Sequence, residues 1–489
     1  MPHSQTTWLS FLSVTLLLTF AALRFALIPT FPLFGDEAVY AEITEEMLRS
    51  PGLIPTYLGN PVSWKPPVSF WAYAPVLFTV RALFPGMPLE VAHRIAPAVF
   101  AVLSTLALFH LARELFSERH ALIAALIFTS MNQTLATTNL LTLEGPLLFF
   151  MLLAMHAYVK GAGSRAWALA ALFSSAAALT KTFSSLLIPV FAFVHYAWNR
   201  KRELHEPGFL LSLLAAPVAL ALYALVFFAL VPYGTDIIVS YYDLAMRFSG
   251  YGIAHFLAGN FTDVFHSMFP WSALALASLP LLDLRKPRNV TLAAWLLLAA
   301  VPLLSFRGYF WYYLLLAPPV ALLCAMALVR LDGWRAHAAL AIGIALSLSI
   351  YSSFVQQPAG AADQKEAGIF LRGKEVLSLT ESGMPGVFLY KFSEGPPDYS
   401  STEQMVADPF GIESYTASPS LSDLIFGPNE LANASARSLG KLIAASGKDY
   451  ILLDARHYEL YATAPLPEYS LAFVSSGREL YVLERVRSS

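Results

Sequence analysis

The chain has a single cysteine in 489 residues. Cys324 lies inside a long apolar run, which excludes an internal disulfide and a cysteine-cluster metal site. Charge is scarce as well: 13% of residues are Asp, Glu, Lys or Arg against 57% hydrophobic, and mean hydropathy is +0.57. That balance excludes an ordinary soluble globular protein. No glycine-rich phosphate loop and no dinucleotide fingerprint is present. A membrane enzyme without a nucleotide site must take an activated substrate from elsewhere, and a lipid-linked one is the obvious candidate. Internal repeats and low-complexity tracts are missing too. The net charge of −2 offers no argument for nucleic acid, and no nucleic-acid partner is expected.

What the sequence has instead is apolar length. About eleven segments are long enough to span, each roughly 17–25 residues. They fall near 8–31, 89–112, 119–138, 140–159, 165–180, 184–199, 208–232, 270–284, 290–306, 308–329 and 335–355. The expectation is a multi-pass, polytopic α-helical membrane protein in contact with membrane lipids. The first segment has only His3 ahead of Trp8 and no clear small-residue cleavage site after it, so it reads as an uncleaved anchor.

With a cytoplasmic N-terminus, the inner loops carry Arg113 and Arg119, Lys160 and Arg165, Arg200, Lys201 and Arg202, Arg285, Lys286 and Arg288, and Arg330 and Arg335. The short outer connections are nearly free of Lys and Arg, with Lys181 and Arg307 as exceptions. This follows the positive-inside rule and places the 35–88 loop, the 233–269 loop and the C-terminal tail outside. The expected division is a transmembrane domain at 1–355, with outer loop 1 at 32–88, and an extracytoplasmic α/β domain at 356–489.

Within the first outer loop, residues 36–49 set Ala38, Ala41, Met47 and Leu48 among Glu42, Glu45, Glu46 and Arg49, an amphipathic helix with one wet face. Pro66-Pro67 interrupts the chain ahead of Phe70-Trp71-Ala72-Tyr73, which suits the headgroup level. The 233–269 loop, with Tyr233, Tyr241, Tyr242, Tyr251, Phe256 and Phe261, reads as a second interfacial loop. In the tail, apolar runs at 386–392, 449–454 and 479–484 read as strands, and 363–379 and 434–446 as helices.

Several residues fit chemistry. Asp36 and Glu37 suit a helix N-terminus, where acids favour the dipole, and equally a general base at the membrane face. Lys65 precedes a diproline that fixes the direction of its side chain; phosphate binding and a snorkelling interface lysine both account for it. Lys181 and Arg307 are the other outer cations, and the arginine precedes an aromatic cluster that includes Tyr312 and Tyr313. A guanidinium fork suits phosphate well. Glu144 begins a span and is a functional candidate by its position, with an Arg94–carboxylate pair as the structural alternative. Arg24 is ambiguous. His255 and His266 are too isolated to argue for a metal.

Gly35-Asp36-Glu37-Ala38 with Tyr40-Ala41-Glu42, and Lys65-Pro66-Pro67 after Gly59-Asn60-Pro61, resemble the first outer-loop signature of bacterial membrane glycosyltransferases of the protein-mannosyltransferase/aminoarabinose-transferase superfamily. Leu179-Thr180-Lys181 and Tyr312-Tyr313-Leu314 with Pro318-Pro319 are similar to later family patterns. The match covers roughly residues 10–330.

The resemblance implies a GT-C fold with Asp36 as catalytic carboxylate and Lys65 as a ligand of the donor phosphate. Glu144 takes the place of a second acidic residue and Arg307 that of a late basic one. It further implies a polyprenyl-phosphate sugar as donor, a lipid, glycan or protein acceptor outside a bacterial inner membrane, and inversion at the sugar carbon. Trp64 stands where the aminoarabinose branch has a glutamate that helps bind a metal, so neither that sugar nor a divalent metal carries over with the motif. No other cofactor is implied. A transporter or flippase is the rival class; it calls for charges near the bilayer midplane and broken helices in matching halves. A non-catalytic scaffold with a sensing tail is a third.

Overall fold

The computed structural model describes residue 15 and residues 18–62, 65–161, 163–181, 184–231, 261–305, 310–331, 333–354, 360–374, 376–380, 385–391, 402–406, 439, 443–444 and 446–486. The chain forms two compact units: residues 1–29 with 63–356, and residues 30–62 with 357–489.

Segment 30–62 opens with helix α1, Asp36–Arg49. Gly35, at φ 55°, takes a left-handed turn that L side chains resist, so the helix starts abruptly at Asp36. Asp36 and Glu37 in its first turn and Arg49 in its last complement the helix dipole. Arg49 lies 3.4 Å from Glu42 and 3.8 Å from Glu45. A short antiparallel pair follows, β1 (Thr56–Tyr57) and β2 (Asn60–Pro61). Glu46 accepts from the Gly59 amide at 3.2 Å. Burial, together with the carboxylates of Glu42 and Glu46, pushes the Tyr57 phenol above its ordinary range, so it stays a neutral donor.

The first unit is helical. In chain order it contains α2 (Val68–Leu83), α3 (Leu89–Leu115), α4 (Glu118–Ser130), α5 (Asn132–Thr138), α6 (Glu144–Lys160), α7 (Ser164–Ala178), α8 (Leu187–Asn199) and α9 (Pro207–Leu230). It continues with α10 (Phe261–Met268), α11 (Trp271–Ser278), α12 (Pro287–Ser305), a 3₁₀ turn at Phe310–Leu316, α13 (Ala317–Leu328) and α14 (Gly333–Phe354). Leu108, Leu111, Phe128, Leu152, Tyr158, Phe191, Trp295 and Leu322 belong to one large buried core, and Leu135, Ala136 and Tyr351 form a smaller cluster. Leu211, Leu214, Leu222 and Leu225 of α9 are exposed, as a lipid-facing helix requires.

Among the described residues three helices are long and apolar enough to cross a membrane, or five when two bent pairs count as one span each. Three further apolar helices, Val68–Leu83, Pro287–Val301 and Tyr312–Leu328, are shorter. The 119–138 segment is two helices bent by 58° at Met131, and Phe261–Met268 with Trp271–Leu281 bends by 110°. In the first outer loop Phe70 and Tyr73 are fully buried, and of the expected headgroup aromatics only Trp71 is exposed. Most of the 233–269 loop, the 434–446 segment and all of the Arg307 turn lie outside the described residues.

The tail adds α15 (Ala361–Phe370), β3 (Val376–Thr380), α16 (Pro385–Lys391), β4 (Thr402–Val406), β5 (Tyr450–Asp454), α17 (Ala455–Ala462), β6 (Tyr469–Val474) and β7 (Leu480–Arg485). The sheet order is β4-β3-β5-β7-β6, with β3 parallel to both β4 and β5 and the rest antiparallel. Side chains alternate between its faces: Ile451, Leu453 and Leu483 pack on one side, Leu452, Leu480 and Val482 on the other.

Two expectations fail in the tail. The helix expected over 363–379 stops at Phe370, and Gly373 at φ 68° turns the chain into β3. The strand expected at 386–392 is helix α16: Val387, Leu389, Tyr390 and Lys391 are all buried, because α1 and α15 both pack on it. This helix packs against α1, and the Tyr390 hydroxyl accepts from the Leu33 amide at 3.0 Å. Strands β4 and β6 fall outside the apolar runs of the tail.

Candidate active site

The first unit brings two candidate residues together through a helix hairpin. Helices α6 and α7 are joined by a short turn and pack along their length as antiparallel neighbours. Seventeen residues of α6 rise by roughly 25 Å, and α7 returns by nearly as much. The start of α6 therefore meets the end of α7, and the Lys181 ammonium contacts Glu144 Oε1. Glu144 lies in the first turn of α6 and Lys181 just beyond the C-terminus of α7, so each charge also sits at the favourable end of a helix dipole.

The framework holding this pair is tight. Lys181 donates its amide to the Ala177 carbonyl at 3.1 Å, and the Thr180 hydroxyl donates to Ala176 at 2.8 Å. The turn before Glu144 is pinned by the Tyr73 hydroxyl, which donates to the Thr142 carbonyl. The Tyr73 ring packs edge-on against Phe100 of α3, centroids 5.9 Å apart. Gly145 lets α6 approach α3 closely: a Cβ there would lie 3.4 Å from the Pro97 carbonyl oxygen and from Phe100 Cβ.

Lys181 also lies over the face of Tyr312, its Nζ 4.1 Å from the ring centroid, within cation–π range. The Lys65-Pro66-Pro67 segment adjoins the same place, because the Val68 amide donates to the Leu179 carbonyl at 2.9 Å. Lys65 is half-buried and both prolines are buried. The result is two lysines on hydrogen-bonded neighbouring segments, one carboxylate and one aromatic face. Such a set can hold a phosphate and stabilise charge that develops on it.

In the second unit, Asp36 is exposed at the start of α1 and Glu37 beside it is buried. The Tyr40 hydroxyl donates to Asp36 Oδ2 at 3.3 Å, one helical turn on. An exposed carboxylate oriented by a phenol and a helix N-terminus is equipped to accept a proton.

Residues 64–230 match the sequence profile of the dolichyl-phosphate-mannose-protein mannosyltransferase family. No curated protein sequence matches significantly. Among solved structures, ArnT from Cupriavidus metallidurans, crystallised bound to undecaprenyl phosphate, superposes with a TM-score of 0.69 at 17% identity over 99% of each chain. The oligosaccharyltransferase AglB from Archaeoglobus fulgidus, in complex with an inhibitory peptide and a dolichol-phosphate, has a TM-score of 0.57 at 14% identity, covering 96% of this chain and 74% of its own. The mycobacterial arabinofuranosyltransferase AftD has a TM-score of 0.58 at 15% identity, covering 97% of this chain and 40% of its own. This protein has the GT-C fold.

In this GT-C chain Arg94 is not the partner of Glu144. The carboxylate takes Lys181, because the hairpin delivers the lysine to it, while Arg94 Nη1 donates to the Pro29 carbonyl at 2.9 Å. Tyr313 is buried in the helical core and Tyr312 is half-buried beneath Lys181. Trp64, Arg307 and His255 lie outside the described residues. Among the described residues no group of three His, Cys, Asp or Glu is arranged to hold a metal ion.

Two supporting residues escaped the sequence reading. Tyr73 looked like one more headgroup aromatic. Arg24 is fully buried at the break between α4 and α5, where its Nη2 donates to the Thr129 carbonyl at 3.1 Å and its Nη1 to the Thr138 hydroxyl. The break leaves helix-end carbonyls unpaired, and the guanidinium satisfies one of them. The Asn132–Thr138 run, polar inside a presumed span, was the available signal.

Proposed function

We propose that this GT-C protein is a glycosyltransferase of a bacterial inner membrane. It moves a hexosyl or pentosyl group from a polyprenyl-phosphate donor to an acceptor on the periplasmic or exterior side, a glycolipid, an envelope polymer or a protein. The observation that carries the reading is the hydrogen bond from Val68 to Leu179, which joins the segment that carries Lys65 to the segment that carries Lys181. That ArnT was solved with undecaprenyl phosphate and AglB with a dolichol-phosphate favours the same class of donor.

Lys65, Lys181 and Arg307 neutralise the phosphate as the bond to the sugar breaks. Asp36 takes the proton of the acceptor hydroxyl as that oxygen attacks the opposite face of the anomeric carbon, which gives inversion. Glu37 is the supporting carboxylate of that turn and Glu144 is the second acidic residue of the lysine site.

The broken helices are a feature that transporters share. Here Arg24 seals the first break by hydrogen bonds, which suits a structural kink better than a transport path. Purified protein in liposomes, given a panel of polyprenyl-phosphate sugars and a bacterial envelope extract as the source of acceptor, should release free polyprenyl phosphate from at least one. Turnover of nucleotide sugars alone would overturn the proposal.

A further inference from the structure

We infer that Glu144 is a positioning residue that restrains Lys181, tuning how tightly this lysine grips the polyprenyl phosphate that the reaction leaves behind. The inference rests on the proposed function, because it takes a phosphate as the ligand of Lys181. It departs from the simplest use of a second carboxylate, which is to act on the acceptor.

The geometry gives Glu144 a different task. Its side chain is buried, 3% exposed, and its Oε1 is engaged by the Lys181 ammonium. A general base must be within reach of the acceptor proton, and Asp36, which is exposed, meets that need better than the buried Glu144. The backbone of Glu144 is locked by Tyr73 on the Thr142 carbonyl and by the close approach of Gly145 to Pro97. Lys181 is therefore held between a fixed carboxylate and the Tyr312 ring, 4.1 Å from its centroid.

Charge balance supplies the reason for a restraint. The donor is a phosphodiester with one negative charge. On transfer, the bond between the anomeric carbon and the phosphate oxygen breaks and its electron pair stays on that oxygen. The acceptor oxygen forms the new bond to the sugar and its proton passes to Asp36. The departing polyprenyl phosphate is a monoester carrying up to two negative charges. Unrestrained cations would hold this product more tightly than the donor, and slow product release limits turnover in many enzymes. A carboxylate already on Lys181 offsets part of that attraction while leaving the lysine in place for the transition state.

The test uses the full-length protein in detergent micelles, with undecaprenyl phosphate as the probe and steady-state donor kinetics alongside. Glu144→Gln should bind undecaprenyl phosphate about tenfold tighter, with donor KM and kcat both reduced, because the charge pair acts mainly on the off-rate. Glu144→Asp keeps the charge but shortens its reach, so it should tighten binding by a smaller factor; it carries the test if Glu144→Gln does not fold. Unchanged or weaker binding in Glu144→Gln, with kcat lost, overturns the inference and returns Glu144 to a catalytic or structural role. Lys181→Ala separates the two levels. It should weaken undecaprenyl phosphate binding, and unchanged binding there would sink the phosphate role of Lys181 itself.

Discussion

The amide of Val68 donates to the carbonyl of Leu179 at 2.9 Å, tying the chain just after Lys65 to the chain just before Lys181. Two cations so linked should act on one phosphate. Lys65→Ala and Lys181→Ala are each expected to lower kcat/KM for the donor by roughly 10- to 100-fold. The double variant should lose less than the product of the two, since neighbouring groups on one ligand are not additive. Multiplicative losses in a double-mutant cycle would assign the lysines to different groups.

Tyr312 offers the face of its ring to the Lys181 ammonium. Tyr312→Phe should therefore keep donor KM within about twofold. Tyr312→Leu, which removes a cation–π contact of about 0.5–2 kcal/mol, should raise it by roughly 2- to 30-fold. A Phe variant as impaired as the Leu variant would show that the hydroxyl is what matters.

Arg24→Met strands the Thr129 carbonyl at the break between α4 and α5. The expected loss is about 1–3 kcal/mol, the cost of a buried polar group left unpaired. It is read as a lower unfolding midpoint in detergent, with donor KM unchanged. A wild-type midpoint would mean that the break does not depend on the guanidinium.

Gly368 of α15 faces the backbone of α16: a Cβ there would lie 2.4 Å from the Val387 oxygen and 2.8 Å from Tyr390 Cβ. Backbone cannot yield as a side-chain tip can, so Gly368→Ala should destabilise the second unit by about 1–3 kcal/mol. Limited proteolysis should then cut the tail sooner, leaving the helical unit intact.

Legibility in the sequence followed the range of the interactions. The limits of helix α1 are readable, because a glycine start and two acids are local signals, but the wet face expected of it is not found: Glu42, Glu45 and Glu46 are all buried. The cations of Lys65 and Lys181 stood out against the charge asymmetry of the loops. The partner of Glu144 did not, since it depends on how the α6–α7 hairpin closes across 37 residues. Arg94, the alternative nearer to hand, donates instead to the Pro29 carbonyl. Helix α16 was misread because a short apolar run has no period of its own, and contact with α1 and α15 decides it. The break at Met131 was legible in principle: Asn132, Gln133, Thr134, Thr137, Thr138 and Asn139 are poor lipid-facing residues, and all six are buried.

The central claim is sugar transfer from a polyprenyl-phosphate donor with Asp36 as the base. The direct measurement is release of undecaprenyl phosphate from an undecaprenyl-phosphate sugar by wild-type and Asp36→Asn protein in liposomes supplied with a bacterial envelope extract as the source of acceptor. Donor binding by both proteins is measured in parallel. The account predicts release by the wild type, a fall of at least about 100-fold in the variant, and donor binding retained in both. Full release by Asp36→Asn would contradict it.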